Sequence, residues 1–569
     1  MTKSQIAQVL EEIATLLELK DENPFKIRAY ANAARSLETF GGNLADLQDE
    51  EALGKIPGIG KAIAAKIKEL GATGKLKYLE ELRAEFPAAI LELFSISGLG
   101  AKKIKALYEK LHVSSIEQLR EGCESGKVAE LPGFGETTQT KICEAIARRA
   151  QHSGHFQFGQ IAADTESLRQ DLAAHRDALQ VDPAAITETF VKHPLVESII
   201  AQGPTKTSVR LRSGIQCDLR VVTSAEYPFA LNYFTGSKEH NIEMRSRALQ
   251  RGWTLNEYRL AQVPPDPKAK KVRAGRSVTK PVAKIPKVNE EADLYRALGL
   301  DFVPPELREN CGEFEAAENH SLPRLLEKEN LRGTFHCHTV ASDGHNTLEE
   351  MAAASQELGL QYLGIAEHSK SSIQAHGIDA TKLKSQIASI RKLNKKFDGF
   401  RLFAGVECDI LRDGKLDFDD EILSQLDFVV ASVHSVFNLP EAEMTKRVIR
   451  AMENRFVTIL AHPTGRLLLK REPYLIDIPA VLDAAAATGT WIEINAAPKR
   501  LDLDWRWWPL AKQKGVKCVI NPDAHRVERL QDLWFGAGIA RKGWLTKDDV
   551  VNCLPLGKIE AALRAKRER

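Results

Sequence analysis

The sequence predicts a multidomain chain with a helical N-terminal region, an α+β middle and a C-terminal α/β barrel. Three observations predict it. A glycine pair followed by an amphipathic helix recurs three times before residue 150. In the middle, "SGIQCDLRVV" (213–222) alternates apolar and polar residues, the mark of a strand with Asp218 and Arg220 on one face. From 330 onward, seven apolar strands alternate with helical patterns, and most of them end in a histidine or carboxylate. The chain has 569 residues, enough for several domains. A net charge of +2 points to no partner, so local charge must do so. No apolar run is long enough to span a bilayer, and the first helix carries acids, unlike a signal peptide. Eight cysteines without a C-x-x-C pair argue against a cysteine zinc site and a disulfide framework. The expectation is a cytoplasmic monomer with no membrane partner.

The first recurring unit appears as "IPGIGKAIAAKI" from 56, "ISGLGAKKIKAL" from 96 and "LPGFGETTQTKI" from 131. Gly58 and Gly60, Gly98 and Gly100, and Gly133 and Gly135 each permit a tight turn, and the helix that follows aims its first N–H groups forward. That is the helix-hairpin-helix pattern of DNA-backbone binding, and DNA is the expected partner. Together with "ENPFKIRAYANAARSLETF" from 22, the first unit resembles the small lyase domain of family X DNA polymerases. The resemblance implies a lyase-like domain over 1–85 and a second helix-hairpin-helix domain over 86–150. It places Lys66 where that family has a Schiff-base lysine. Lys61 and Lys68 could lower its pKa. A second family lysine is Ala62 here, which favours a plainer reading of Lys66 as a solvated residue or a phosphate contact.

"GPTKTSVRLRSGIQCDLRVV" and "YFTGSKEHNIEMRSRALQRGWTLNEYRL" resemble the second half of the family X palm and its thumb, a nucleotidyltransferase-like α+β core. The resemblance makes Asp218 the third catalytic aspartate. It assigns Tyr233, Phe234, Gly236, Ser237, Asn241 and Arg245 to the nucleotide site. The family's G-S-x-R-R run and D-x-D strand should lie upstream, and neither occurs between 155 and 205. The palm, 151–224, is therefore read as truncated, Asp218 as a remnant, and dNTP binding as an open question. The thumb, 225–310, contains "VPPDPKAKKVRAGRSVTKPVAKIPK" (263–287), with eight Lys or Arg and one acid, an extended basic linker suited to DNA backbone.

In the barrel region, 330–569, the strands are "RGTFHCHT", "YLGIAEHS", "RLFAGVECDI", "LDFVVASVHS", "VTILAHPT", "WIEINAAP" and "KCVINPDAHR". Their ends supply His336, His338, Asp343, His368, Glu407, His434, His462, Asp523 and His525. Nine such residues at strand C-termini are too many for one ion, and imidazole with carboxylate suits zinc, manganese or iron. The segment resembles the PHP (polymerase and histidinol phosphatase) domain, a (β/α)7 barrel. The resemblance implies up to three divalent ions, Mn2+ or Zn2+ with Mg2+ also admitted, held by these nine residues. One departure is Ala366-Glu367-His368 in place of the family's Thr-Asp-His. His376, Lys370 and Arg466 are candidates to reach substrate phosphates.

The module order resembles bacterial family X polymerases with a C-terminal PHP domain. It implies a DNA-repair enzyme whose PHP site hydrolyses DNA from a 3′ end on gapped or primer-template DNA, with polymerase activity impaired. Two rivals stay open: an active gap-filling polymerase with a 3′–5′ exonuclease, and a small-molecule phosphatase tethered to a DNA-binding module.

Overall fold

The computed structural model describes residues 3–39, 53, 56, 58–96, 99–151, 156–174, 182–263, 284–469 and 471–568. The chain divides into two compact units, Met1–Phe156 with Asp164–Leu219, and Gln157–Ala163 with Arg220–Arg569.

The first unit begins with helices Lys3–Leu19 and Pro24–Thr39 and continues through Lys61–Thr73, Ala101–Leu111 and Gly135–Gln151, which follow the three glycine turns. The turns are built alike. Ile59 N–H donates to Ile56 O, Leu99 N–H to Ile96 O, and Phe134 N–H to Leu131 O, each at 3.1 Å. Both apolar residues of each pair are buried, so every turn is pinned to the helical core from below. Gly58 at φ 85° and Gly133 at 87° take the left-handed backbone at the first glycine of their turns, whereas at the second glycine Gly60 and Gly100 are extended and Gly135 alone has positive φ, 65°.

Besides further helices, this unit holds a small palm-like sheet of β1 (Val196–Gln202), β2 (Lys206–Leu211) and β3 (Gln216–Arg220), in that spatial order. Val209 and Leu211 of β2 are buried with Phe190 of the helix Pro183–Lys192, and Cys217 and Leu219 pack against them from the apolar face of β3. The division between units falls at the end of β3, after Leu219.

The second unit opens with thumb helices Tyr227–Thr235, Lys238–Gln250 and Glu291–Ala297 and the hairpin β4 (Trp253–Leu255) and β5 (Leu260–Gln262). A buried polar network ties them. His240 lies 2.8 Å from Glu313 and 2.9 Å from the Tyr295 hydroxyl, and Arg308 pairs with Glu291 at 2.6 Å. Arg541 of the barrel helix Leu533–Lys542 holds Glu306 at 2.6 Å and the Leu326 carbonyl at 2.7 Å.

The barrel strands are β6 (Gly333–Cys337), β7 (Tyr362–His368), β8 (Arg401–Asp409), β9 (Val430–Ser432), β10 (Ile459–Leu460), β11 (Trp491–Asn495) and β12 (Cys518–Asn521). They form one parallel sheet in chain order. The first and last strands meet through a parallel bridge between Cys337 and Ala524. Asparagine and threonine side chains complete that seam. Asn521 Oδ1 accepts from Phe335 N–H at 3.0 Å, and Asn552 Oδ1 accepts from Ile520 N–H at 2.7 Å. Asn552 Nδ2 donates to Gly333 O at 2.9 Å, and the Thr334 hydroxyl to Ile520 O at 3.0 Å.

Aromatic rings fill part of the barrel. Phe335 stands 4.9 to 6.2 Å, centroid to centroid, from Phe428, Tyr362, Phe403 and Trp491. It touches rings from nearly every side, so it faces inward. So does its neighbour His336, against strict alternation. The β6–β7 register shifts between Thr334 and Cys337, and His336 has φ 55°, so the strand bulges where its ligands begin. A Cβ on Gly364 or Gly405 would collide with the Phe428 ring, which explains glycine at these two buried strand positions.

Candidate functional site

The structure brings the nine candidate ligands together. They fall into four overlapping groups whose ligand atoms lie within 4.8 Å of one another: His338, Asp343, His368 and His525; His336, His338 and Glu407; His336, His462 and Asp523; and His368, Glu407 and His434. Each comes from the C-terminal end of a barrel strand or the loop beyond it, as parallel barrels place their chemistry. Glu407 is the hub. Its carboxylate lies 2.8 Å from His368, 3.0 Å from His462, and 3.2 Å from both His336 and His434. The floor of the cluster is buried, while Asp343, His434 and His525 keep about a quarter of their side chains open to solvent.

Electrostatics follow from that crowding. Burial works to raise the Glu407 carboxyl, but the surrounding histidines hold it well below its ordinary range. Burial and two neighbouring imidazoles push His338 down to about 3, leaving it neutral. Burial and the Arg500 charge push His462 down to about 4. Several buried nitrogens have no hydrogen-bond partner: both of His338, Nε2 of His336 and Nδ1 of His462. Orphaned buried imidazole nitrogens are costly unless something occupies them. A donor set of imidazoles around a carboxylate fits divalent cations. Three ligands, His336, His462 and Asp523, have φ of 55°, 28° and 52°. Non-glycine residues in that region mark a backbone over-determined by its surroundings.

Glu367 points away from the cluster. It accepts from the Thr339 and Ser342 hydroxyls, both at 2.5 Å, and from Gln386 at 3.0 Å, anchoring the loop that carries Asp343.

Of the three residues expected to reach phosphates, Arg466 is committed elsewhere. It is held by Asp504 at 2.8 Å and by the carbonyls of Arg500 and Leu501. Lys370 lies over the Phe418 ring, 5.6 Å from its centroid, and His376 is exposed on the following turn. The cation at the cluster is Arg500, which sequence reasoning missed. Its Nε is 3.7 Å from Asp523, and Nε and Nη1 are buried without hydrogen-bond partners. It lies in the loop after β11, a strand end with no recognised ligand. Two carboxylates were missed as well: Glu493 on β11, 2.7 Å from His336 Nδ1, and Asp409, 2.6 Å from His434 Nδ1. Glu493 sits inside a buried apolar strand and Asp409 ends one, and a charge in such a strand is the signal that could have found them.

Elsewhere, Asp218 pairs with Lys206 at 2.8 Å and accepts from Gln216 at 3.0 Å. Burial works to raise its carboxyl, but these bonds and one from Ser208 bring it down to about 2. Arg220 lies instead over the Phe234 ring. Upstream acids are engaged locally: Asp182 caps the helix Pro183–Lys192, and Glu188 pairs with Lys192. Among the described residues, no cluster of candidate metal ligands includes Asp218.

On the thumb, Tyr233 and Phe234 stand edge to face with centroids 5.1 Å apart. Gly236 ends their helix, and Ser237 caps the next by accepting from His240 N–H. Asn241 donates to Tyr233 O at 2.7 Å, and Arg245 to Asn241 O at 3.2 Å. Tyr233, Asn241 and Arg245 line a cavity of about 10 Å³ with Phe229, Asn232, Leu255 and Asn256, room for about one water.

Lys66 lies 4.9 Å from the centroid of the Tyr78 ring, which Lys26 approaches at 5.7 Å and Tyr30 stacks upon. Gly58, Gly60, Gly100, Gly133 and Gly135 occupy their turns, and Gly98 lies outside the described residues, as does 264–283 of the basic linker.

Family models match in four places: a helix-hairpin-helix domain over 1–76, a SAM-like helix-hairpin-helix tandem over 90–148, a DNA polymerase beta thumb over 230–309 and a PHP domain over 334–496. The DNA polymerase/3′-5′ exonuclease PolX of Bacillus subtilis (strain 168) is 38% identical, across 99% of this chain and the whole of that protein. The chain belongs to the family X DNA polymerases that carry a C-terminal PHP domain. The barrel alone is also similar to phosphatase-named proteins. One from Thermoanaerobacter sp. (strain X514), called "Probable phosphatase", is 30% identical over 41% of this chain and 95% of that protein. Another so named, from Caldanaerobacter subterraneus, is 32% identical over 33% of this chain and 74% of its own. The PHP match implies divalent metals, and the helix-hairpin-helix matches imply DNA binding. No helix among the described residues is long and apolar enough to cross a membrane.

Proposed function

We propose that this family X protein degrades DNA from a 3′ end at its PHP site, using manganese or zinc held by the nine clustered residues, with magnesium a weaker alternative. The observation that carries the reading is the four overlapping ligand groups sharing Glu407, His336, His338 and His368 at the open end of one barrel. Ions bound there would supply a nucleophilic water and stabilise the charge that develops on the phosphate. The protein supplies the rest. Arg500, whose buried Nε and Nη1 make no hydrogen bond, offers donors to a phosphate oxygen. The three glycine turns expose helix N-termini to DNA backbone. We place the enzyme in the cytoplasm as a monomer acting on gapped or primer-template DNA.

The test is a labelled primer-template incubated with manganese. Wild type shortens the primer from its 3′ end, and His336→Ala loses that activity by about a hundredfold or more. Equal rates in the two would show that the cluster is not the site.

The phosphatase-named relatives of the barrel favour one alternative, hydrolysis of small phosphomonoesters. Phosphate release from such compounds that outpaces primer degradation would favour it.

A further inference from the structure

We propose that Glu493 is the positioning residue of the metal cluster: its carboxylate orients the His336 ring with Nε2 toward the ion and clamps the backbone of His462. The proposal rests on the reading of the nine residues as a metal site.

Glu493 lies in the middle of β11, the one barrel strand from which no ligand was expected, and its side chain is fully buried. No lysine or arginine pairs with it among the described residues. It is instead saturated by four donors, two on each oxygen. Oε1 accepts from His336 Nδ1 at 2.7 Å and Asn521 Nδ2 at 2.9 Å. Oε2 accepts from His462 N–H at 2.7 Å and Asn495 Nδ2 at 3.2 Å. A carboxylate can only accept, so the proton of His336 must sit on Nδ1. In the neutral ring that leaves the lone pair on Nε2, the buried nitrogen without a hydrogen-bond partner, 3.2 Å from Glu407. Ligating histidines commonly carry such a carboxylate on the far nitrogen, which fixes tautomer and ring angle.

The second oxygen acts on backbone. His462 has φ 28°, and its N–H points to Glu493 rather than into the strand ladder. A strained conformation persists where its polar groups are satisfied in it and nowhere else. Asn521 links the same carboxylate to β6, because its Oδ1 accepts from Phe335 N–H, one residue before His336. One buried side chain thus sets ligands on two separate strands.

The experiment uses full-length protein stripped of metal, titrated with Mn2+ and read by the electron paramagnetic resonance of the free ion. Glu493→Gln keeps the shape but puts an NH2 group where two donors point. We expect 10- to 100-fold weaker Mn2+ binding. The metal-free melting temperature should stay within a few degrees of wild type, and primer degradation should be restored by excess Mn2+. Rescue by metal separates positioning from a general structural defect, which metal would not repair. Should Glu493→Gln fail to fold, Glu493→Asp takes its place: it keeps the charge but falls one methylene short of spanning both strands. Unchanged Mn2+ affinity, or a loss that excess Mn2+ does not repair, overturns the proposal. Absence of Mn2+ and Zn2+ binding by wild type would instead overturn the reading of the site itself.

Discussion

Asp532 shows how one buried acid sets a pH window. It is 5% exposed at the start of the helix Leu533–Lys542, and burial pushes its carboxyl up to about 6, with Arg529 at 3.4 Å only partly opposing. The folded state therefore keeps a proton that the unfolded chain gives up near pH 4. Stability falls as pH rises through that interval, and the loss is complete above about 6. Asp532→Asn removes the charge. Its unfolding free energy should rise relative to wild type by roughly 1–3 kcal/mol between pH 4 and 7. Urea melts of the two proteins at both pH values check this, and a pH-independent difference would refute it. At this scale the sequence was legible where a polar residue closes an apolar run, as at His368 or His462. It was illegible where the polar residue is enclosed by the run, as Glu493 is by Ile492 and Ile494. Arg466 and Arg500 were exchanged for a similar reason. Both are loop arginines after barrel strands, and only packing shows that Asp504 occupies the first while the second keeps free donors.

At the scale of elements, the glycine turns read directly, because Gly-x-Gly with a flanking apolar pair leaves few other conformations. Their shared turn hydrogen bond, 3.1 Å in all three, is the structural form of the sequence repeat. DNA binding should be salt-dependent and indifferent to sequence. The log–log slope of affinity against salt should flatten by about one for each phosphate that the protein no longer neutralises. Neutralising Lys268, Lys270, Lys271 and Arg273 of the linker should reduce the slope by up to about four. Fluorescence anisotropy from about 50 to 300 mM salt measures it, and an unaltered slope would make the linker a spacer. The bulge in β6 was not legible. H-x-H suggested simple alternation, yet Phe335 and His336 both face the barrel interior. Only the demand for an aromatic filling beneath a polar cluster explains why.

For the whole molecule, module order was readable because each module carries its own motif, and the family match extends over nearly the full chain. The polymerase half is different. The charge of Asp218 is already matched by Lys206. Two-metal nucleotidyl transfer needs several anionic ligands, and one carboxylate bonded to a lysine does not supply them. We expect template-directed synthesis to be absent or very weak. Extension of a gapped primer by His336→Ala protein, in which degradation cannot mask synthesis, checks this. Robust incorporation that Asp218→Ala abolishes would restore the polymerase.

The seam between β6 and β12 has a dynamic consequence. Every other strand pair in the barrel is laced by backbone ladders, whereas here asparagine and threonine side chains stand in for missing rungs. The two edges they join carry His336 and His338 on one side and Asp523 and His525 on the other. An ion shared across them would act as a rivet through the weakest join in the wall. Amide protons of Phe335 and Ile520 should then exchange with deuterium faster than those of β7 and β8 in metal-free protein, and slow selectively when Mn2+ is added. The cofactor would be part of what keeps the barrel shut.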